Sequence, residues 1–121
     1  MTRREAYEKH KALWNEIVKM IDEGIEYENI SIYKYYALER LSYYDYIFCN
    51  CYACEVSKYC TECLVVWNEG VCTSEKSEFL LCDRAIGNGN YALAKKLAYE
   101  IANLPLREGL DMDKDVYEDD D

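Results

Sequence analysis

The sequence predicts a small, mainly α domain of about four helices arranged around a central cysteine knuckle. Three observations carry that expectation. Apolar residues recur at helical spacing on both sides of the middle of the chain, Cys51, Cys54, Cys60, Cys63 and Cys72 crowd into its centre, and only one proline interrupts 121 residues. Half of the residues are apolar, which sets the chain apart from disordered sequences of high charge. A chain of this length forms one domain and buries roughly 65% of its unfolded surface.

The elements follow in order. Thr2 and Glu5 have the T-x-x-E spacing of a capping box, in which each residue serves a free backbone N–H of the first turn. Tyr7, His10, Leu13, Trp14, Ile17, Val18 and Ile21 then share one helical face, and Gly24 stops the helix, which is predicted over 3–23. A second helix is predicted from Asn29 or Ser31 to Tyr44, with Ile30, Tyr33, Ala37, Leu38, Leu41 and Tyr44 as its stripe. The segment from Ile47 to Cys72 is expected to consist of turns with at most one short β-hairpin. Thr73 or Ser74 caps a third helix that buries Phe79, Leu80, Cys82 and Ile86, and Gly87-Asn88-Gly89 ends it. Asn90 caps a fourth, with Leu93, Leu97, Ile101 and Leu104 as its stripe, thickened by Ala92, Ala94, Ala98 and Ala102. Pro105 terminates it.

Charge divides the chain. Net charge is −10, and the residues from Glu108 to Asp121 are strongly acidic. We therefore expect a single helical domain over 1–107 and an acidic tail over 108–121. That tail is either a solvated, frayed end or a strip that competes for a basic groove. Direct binding to DNA or RNA is disfavoured, because affinity for phosphates comes from Lys and Arg. No apolar run reaches the roughly 18 residues of a membrane span, and the charged start does not read as a signal peptide. The expected location is the cytosol.

Seven cysteines, an odd number without a secretion signal, argue against a disulfide framework. Cys51-x2-Cys54 and Cys60-x2-Cys63 are two tight turns, each bringing two sulfurs to one side of a bend. Together they supply the four thiolates of a tetrahedral zinc site, with Cys72 as the reserve ligand. Four thiolates leave no open position for water, so the metal is expected to be structural. An iron–sulfur cluster uses the same donors. Cys82 is read as a core residue, and Cys49 stands outside the ligand set. His10 is expected to be a packed, hydrogen-bonded core histidine. No phosphate-binding loop, dinucleotide fingerprint or H-E-x-x-H motif is present, and no enzyme is predicted.

Three segments together carry a resemblance: His10-Lys11-Ala12-Leu13-Trp14 near the start, Cys51-Tyr52-Ala53-Cys54-Glu55 with Cys60-Thr61-Glu62-Cys63 and Trp67 in the middle, and Ala94 through Pro105 near the end. The arrangement resembles small cysteine-knuckle proteins encoded by phages and prophages of Gram-positive bacteria. Their middle motif reads C-x-x-C-E, then C-x-x-C-P, a tryptophan and one more cysteine. Leu64 stands where their proline is usual. The resemblance implies a phage accessory protein acting in the cytosol of a bacterial host. Proteins of this kind include anti-CRISPR proteins, among them zinc-binding inhibitors of type II-A Cas9.

The resulting expectation is a zinc-stabilised interaction protein that binds and inhibits a host nucleic-acid-handling protein, with Cas9 as the leading partner. Exposed tyrosines make good interface anchors at low entropic cost. Tyr33, Tyr35, Tyr36, Tyr43, Tyr44 and Tyr46 are the candidates, followed by Asp119 and Asp120 of the tail. The same rings are alternatively a cover for the zinc lobe. A second reading is a small zinc-finger regulator that binds DNA through a basic end formed by Arg3, Arg4, Lys9 and Lys11.

Overall fold

The computed structural model describes residues 2–43, 64–67 and 75–113. Four helices make up most of it: α1 (Arg3–Asp22), α2 (Ile30–Arg40), α3 (Glu78–Gly87) and α4 (Tyr91–Ala102). The fold is mainly α, as the hydrophobic periodicity predicts. Helix α4 packs against both α1 and α3, and α2 lies against α1 and touches α3.

Each helix starts on a side-chain cap. Thr2 Oγ1 accepts from Glu5 N at 3.1 Å and donates to the Glu5 carboxylate at 3.3 Å, so the reciprocal half of the box runs through the hydroxyl. Asn29 and Asn90 Oδ1 accept from Ile32 N and Leu93 N. Helix α3 is capped by Ser77, not by Thr73 or Ser74. Ser77 is buried and Glu78 follows it in the first turn, so the cap and an acidic residue that suits the helix dipole sit together.

Three helices end in the same way. In α1, Gly24 N donates to Ile21 O and Ile25 N to Met20 O, with Gly24 at φ 87°. This paired closure satisfies two carbonyls that the helix would otherwise leave bare. Helix α3 repeats it with Gly89 N to Ile86 O and Asn90 N to Ala85 O. Asn90 therefore closes α3 with its backbone and opens α4 with its side chain. Helix α2 repeats it too, with Ser42 N to Glu39 O and Tyr43 N to Leu38 O, Ser42 taking φ 57°. That left-handed serine ends α2 at Arg40, four residues before the predicted Tyr44. No glycine announces the stop.

The core is one cluster. From α1 it takes Ala6, His10, Leu13, Trp14, Ile17, Met20 and Ile21, and from α2 Ile30, Tyr33 and Ala37. From α3 come Cys82, Ala85 and Ile86. On α4 the buried stripe is Ala94, Leu97, Ala98, Ile101 and Ala102, whereas Leu93 is exposed. Leu97, Ile101 and Leu104 of the predicted stripe are buried, as are the predicted Ala94, Ala98 and Ala102, while Leu93 and Ala92 turn outwards. Small residues face inwards because α4 lies between two helices, and alanines admit a close approach that a leucine at 93 would block.

Outside the helices an antiparallel bridge joins Val65 to Leu106. Val66 N donates to Pro105 O at 2.8 Å and Arg107 N to Leu64 O at 2.9 Å. The chain beyond Pro105 then returns to the start of α1. Arg4 N, a free donor of the first turn, donates to Met112 O at 2.9 Å, and Leu110 and Met112 pack against the core. Residues 110–112 thus pack onto the helices. Their hold is apolar as well as charged. Among the described residues no helix is long and apolar enough to cross a membrane.

Candidate functional site

Two sets of residues were expected to carry function, the cysteines and the tyrosines. Cys51, Cys54, Cys60, Cys63 and Cys72 lie outside the described residues, as do Tyr44, Tyr46, Asp119, Asp120 and any hairpin within the cysteine segment. Among the described residues no three His, Cys, Asp or Glu side chains converge as a metal site requires. The donor set itself, two C-x2-C pairs, suits the tetrahedral thiolate chemistry of zinc. Cys82 is a different kind of cysteine. It is wholly buried, its thiol reaches Ala94 O at 3.5 Å, and burial, aided by Asp83, pushes it up to about 12. A thiol held so firmly in its protonated form is a core residue.

The residues that directly follow Cys63 are anchored to the helices. Leu64, Val65 and Trp67 are all buried. The Leu64 side chain belongs to the core, and its carbonyl accepts from Arg107 N. The Trp67 ring stands edge-on to Phe79 of α3 at 6.4 Å, and Phe79 stands edge-on to Trp14 of α1 at 6.0 Å. Edge-to-face pairs at these separations add to the burial of the rings themselves. A chain of three aromatic rings thus links the backbone after Cys63 to the centre of α1.

The tyrosines divide into two groups. Tyr33 is not available to a partner. Its ring is fully buried, its hydroxyl donates to Ile25 O at 2.6 Å, and it accepts from Tyr27 N at 3.1 Å. Burial raises its phenol above the usual range and keeps it neutral. The hydroxyl serves backbone groups of the loop between α1 and α2, which is why a polar aromatic occupies a core position of that helix. Tyr43 is half-buried against the core, with Lys9 Nζ over its ring at 5.1 Å.

Tyr35 and Tyr36 are exposed, at 64% and 41%. They meet edge-to-face at 5.1 Å, and Tyr36 stacks on Tyr27 at 5.2 Å with the planes 17° apart. Tyr27 was absent from the sequence-based candidates, since it lies in a loop away from the run at 33–46. Tyr27 is held in turn by Tyr33, whose ring meets it edge-on at 4.9 Å, and by the Tyr91 hydroxyl, which donates to Tyr27 O at 3.0 Å. An ordered aromatic platform results, with two of its rings open to solvent.

The basic end also takes shape. Arg4 Nε pairs with Asp113 at 3.0 Å, Arg3 donates to Asp111 O at 3.0 Å, and Lys11 Nζ lies 5.1 Å over the Tyr7 ring. The cations of the predicted basic end are engaged with this chain's own groups. No family model, curated protein or solved structure matches the chain.

Proposed function

We propose that the chain is a metal-stabilised interaction protein that binds and inhibits a nucleic-acid-handling protein of a bacterial host, with Cas9 as the target to test first. The observation that supports it best is the solvent-facing stack of Tyr27, Tyr36 and Tyr35 on a chain of net charge −10. Rigid aromatic rings bind with little loss of rotamer freedom. A strongly acidic protein is steered towards basic surfaces, and Cas9 holds its nucleic acids in positively charged channels. The DNA-binding alternative is weakened by the engagement of Arg3 and Arg4 with the returning C-terminal segment.

Adding the protein to Cas9 loaded with guide RNA should reduce both binding and cleavage of target DNA. Undiminished cleavage at a saturating excess of the protein removes Cas9 from the proposal. A salt-dependent shift of duplex DNA by the protein alone would instead favour the regulator.

Zinc is proposed as the resident metal, held by Cys51, Cys54, Cys60 and Cys63. Elemental analysis of reduced protein should find one equivalent per chain. The helices contact one another directly, so chelation is expected to spare most of the helical circular dichroism. The anchored residues after Cys63 should nevertheless transmit the loss, lowering the melting temperature by about 10 °C or more. An unchanged melting temperature in metal-free protein would show that no structural metal is bound.

A further inference from the structure

Resting on the reading that this chain acts by binding a protein, we infer that the exposed tyrosine stack is a docking site for arginine side chains of a basic partner segment. The open rings are Tyr35 and Tyr36, and Tyr36 is supported from behind by Tyr27. Acidic residues are near them along the chain. Glu39 lies one helical turn beyond both Tyr35 and Tyr36, and Glu26 and Glu28 flank Tyr27; all three are exposed. The cation at the end of α2, Arg40, is taken up by Glu23 at 3.0 Å and Glu16 at 3.6 Å. Lys34 is half-buried and has an interaction of its own within the fold.

This combination selects one chemistry. A guanidinium is flat and cationic, so it stacks on a phenol face while its edge pairs with a neighbouring carboxylate. An ammonium satisfies the carboxylates but has no plane to lay on the ring. Phosphates and anionic lipids are repelled by the flanking glutamates. A second copy of the chain would bring those glutamates against their own equivalents. A basic, arginine-bearing segment is the occupant that gains from both features.

The test uses metal-replete, full-length protein and labelled oligoarginine and oligolysine peptides of equal length, with binding read by fluorescence anisotropy. Oligoarginine should bind several-fold more tightly. The Tyr35→Ala/Tyr36→Ala variant keeps its net charge, so general attraction to the acidic chain is unaltered. It should nevertheless weaken oligoarginine binding roughly tenfold while leaving oligolysine almost unaffected. Tyr35→Ala alone, at the most exposed of these rings, guards against misfolding and should weaken oligoarginine by about threefold. Equal affinity for the two peptides, or wild-type affinity in both variants, overturns the inference. So does a wild-type dimer in sedimentation that the double variant abolishes, because the surface would then belong to a second copy. The outcome is separable from that of the Cas9 assay. Tyrosine-dependent capture of arginine without Cas9 inhibition refutes the target alone, whereas inhibition that survives loss of both rings refutes the docking site alone.

Discussion

Trp14→Ala is expected to destabilise the protein by about 4 kcal/mol, a large part of the stability of a domain this size. Trp14 is fully buried at the middle of α1, where its ring meets Phe79 of α3. Truncation would leave a cavity between elements that close packing has brought together, and the neighbours can collapse into it only in part. The loss should spread, because Phe79 also supports Trp67, which anchors the residues after Cys63. Trp14→Phe separates size from polarity. The indole Nε1 has no hydrogen-bond partner among the described residues. A buried donor without an acceptor costs about 1–3 kcal/mol, so removing it offsets part of the lost packing. The phenylalanine variant should lose only about 1 kcal/mol. Urea unfolding followed by Trp67 fluorescence measures both, and an alanine variant within about 1 kcal/mol of wild type would mean that this ring is not the centre of the core.

The second large effect concerns pH. His10 Nε2 bonds Ile101 O at 2.8 Å, which assigns the ring proton to that nitrogen, and Nδ1 has no partner among the described residues. A second proton would place a charge and an unaccepted donor inside the apolar core. Burial, with a smaller contribution from Lys11 and against the Ile101 hydrogen bond, lowers the imidazole from 6.5 to about 4. The unfolded chain therefore takes up this proton at a higher pH than the folded one. Stability from His10 is complete above about 6.5, declines as pH falls, and is spent near 4. The loss over that window is about 3 kcal/mol. Replacing His10 with glutamine keeps an N–H for Ile101 O but removes the titration. Unfolding curves of the two proteins should diverge below about pH 6.5, with wild type losing more. Parallel pH profiles would refute the assignment, since the carboxylates are common to both chains.

How much of this was legible beforehand depends on the range of the interaction involved. The cap at Thr2, the stop at Gly24, the Asn90 cap and the core position of His10 all rest on residues within about a turn of one another. Those could be read directly. The end of α2 could not, because Ser42 does the work of a glycine without being one. The outward turn of Leu93 on α4 was missed for a related reason. Alanine and leucine both satisfy an apolar period, and only the helices on either side favour the smaller residue. The return of Leu110 and Met112 to α1 crosses more than a hundred residues of chain, and nothing local marks it.

The amino-acid sequence alone determined that there would be helices, where most of them begin, and that a run of cysteines lies between them in the chain. These are consequences of backbone hydrogen bonds, capping side chains and residue spacing, all settled within short stretches. The tertiary structure alone decided that Tyr36 and Tyr35 form a surface together with Tyr27. Tyr33 and Tyr36 lie three residues apart on one helix, yet the first is enclosed by α1 and its loop and the second stacks outward on Tyr27. Burial is a property of what packs against a residue, and the partners here come from elsewhere in the chain.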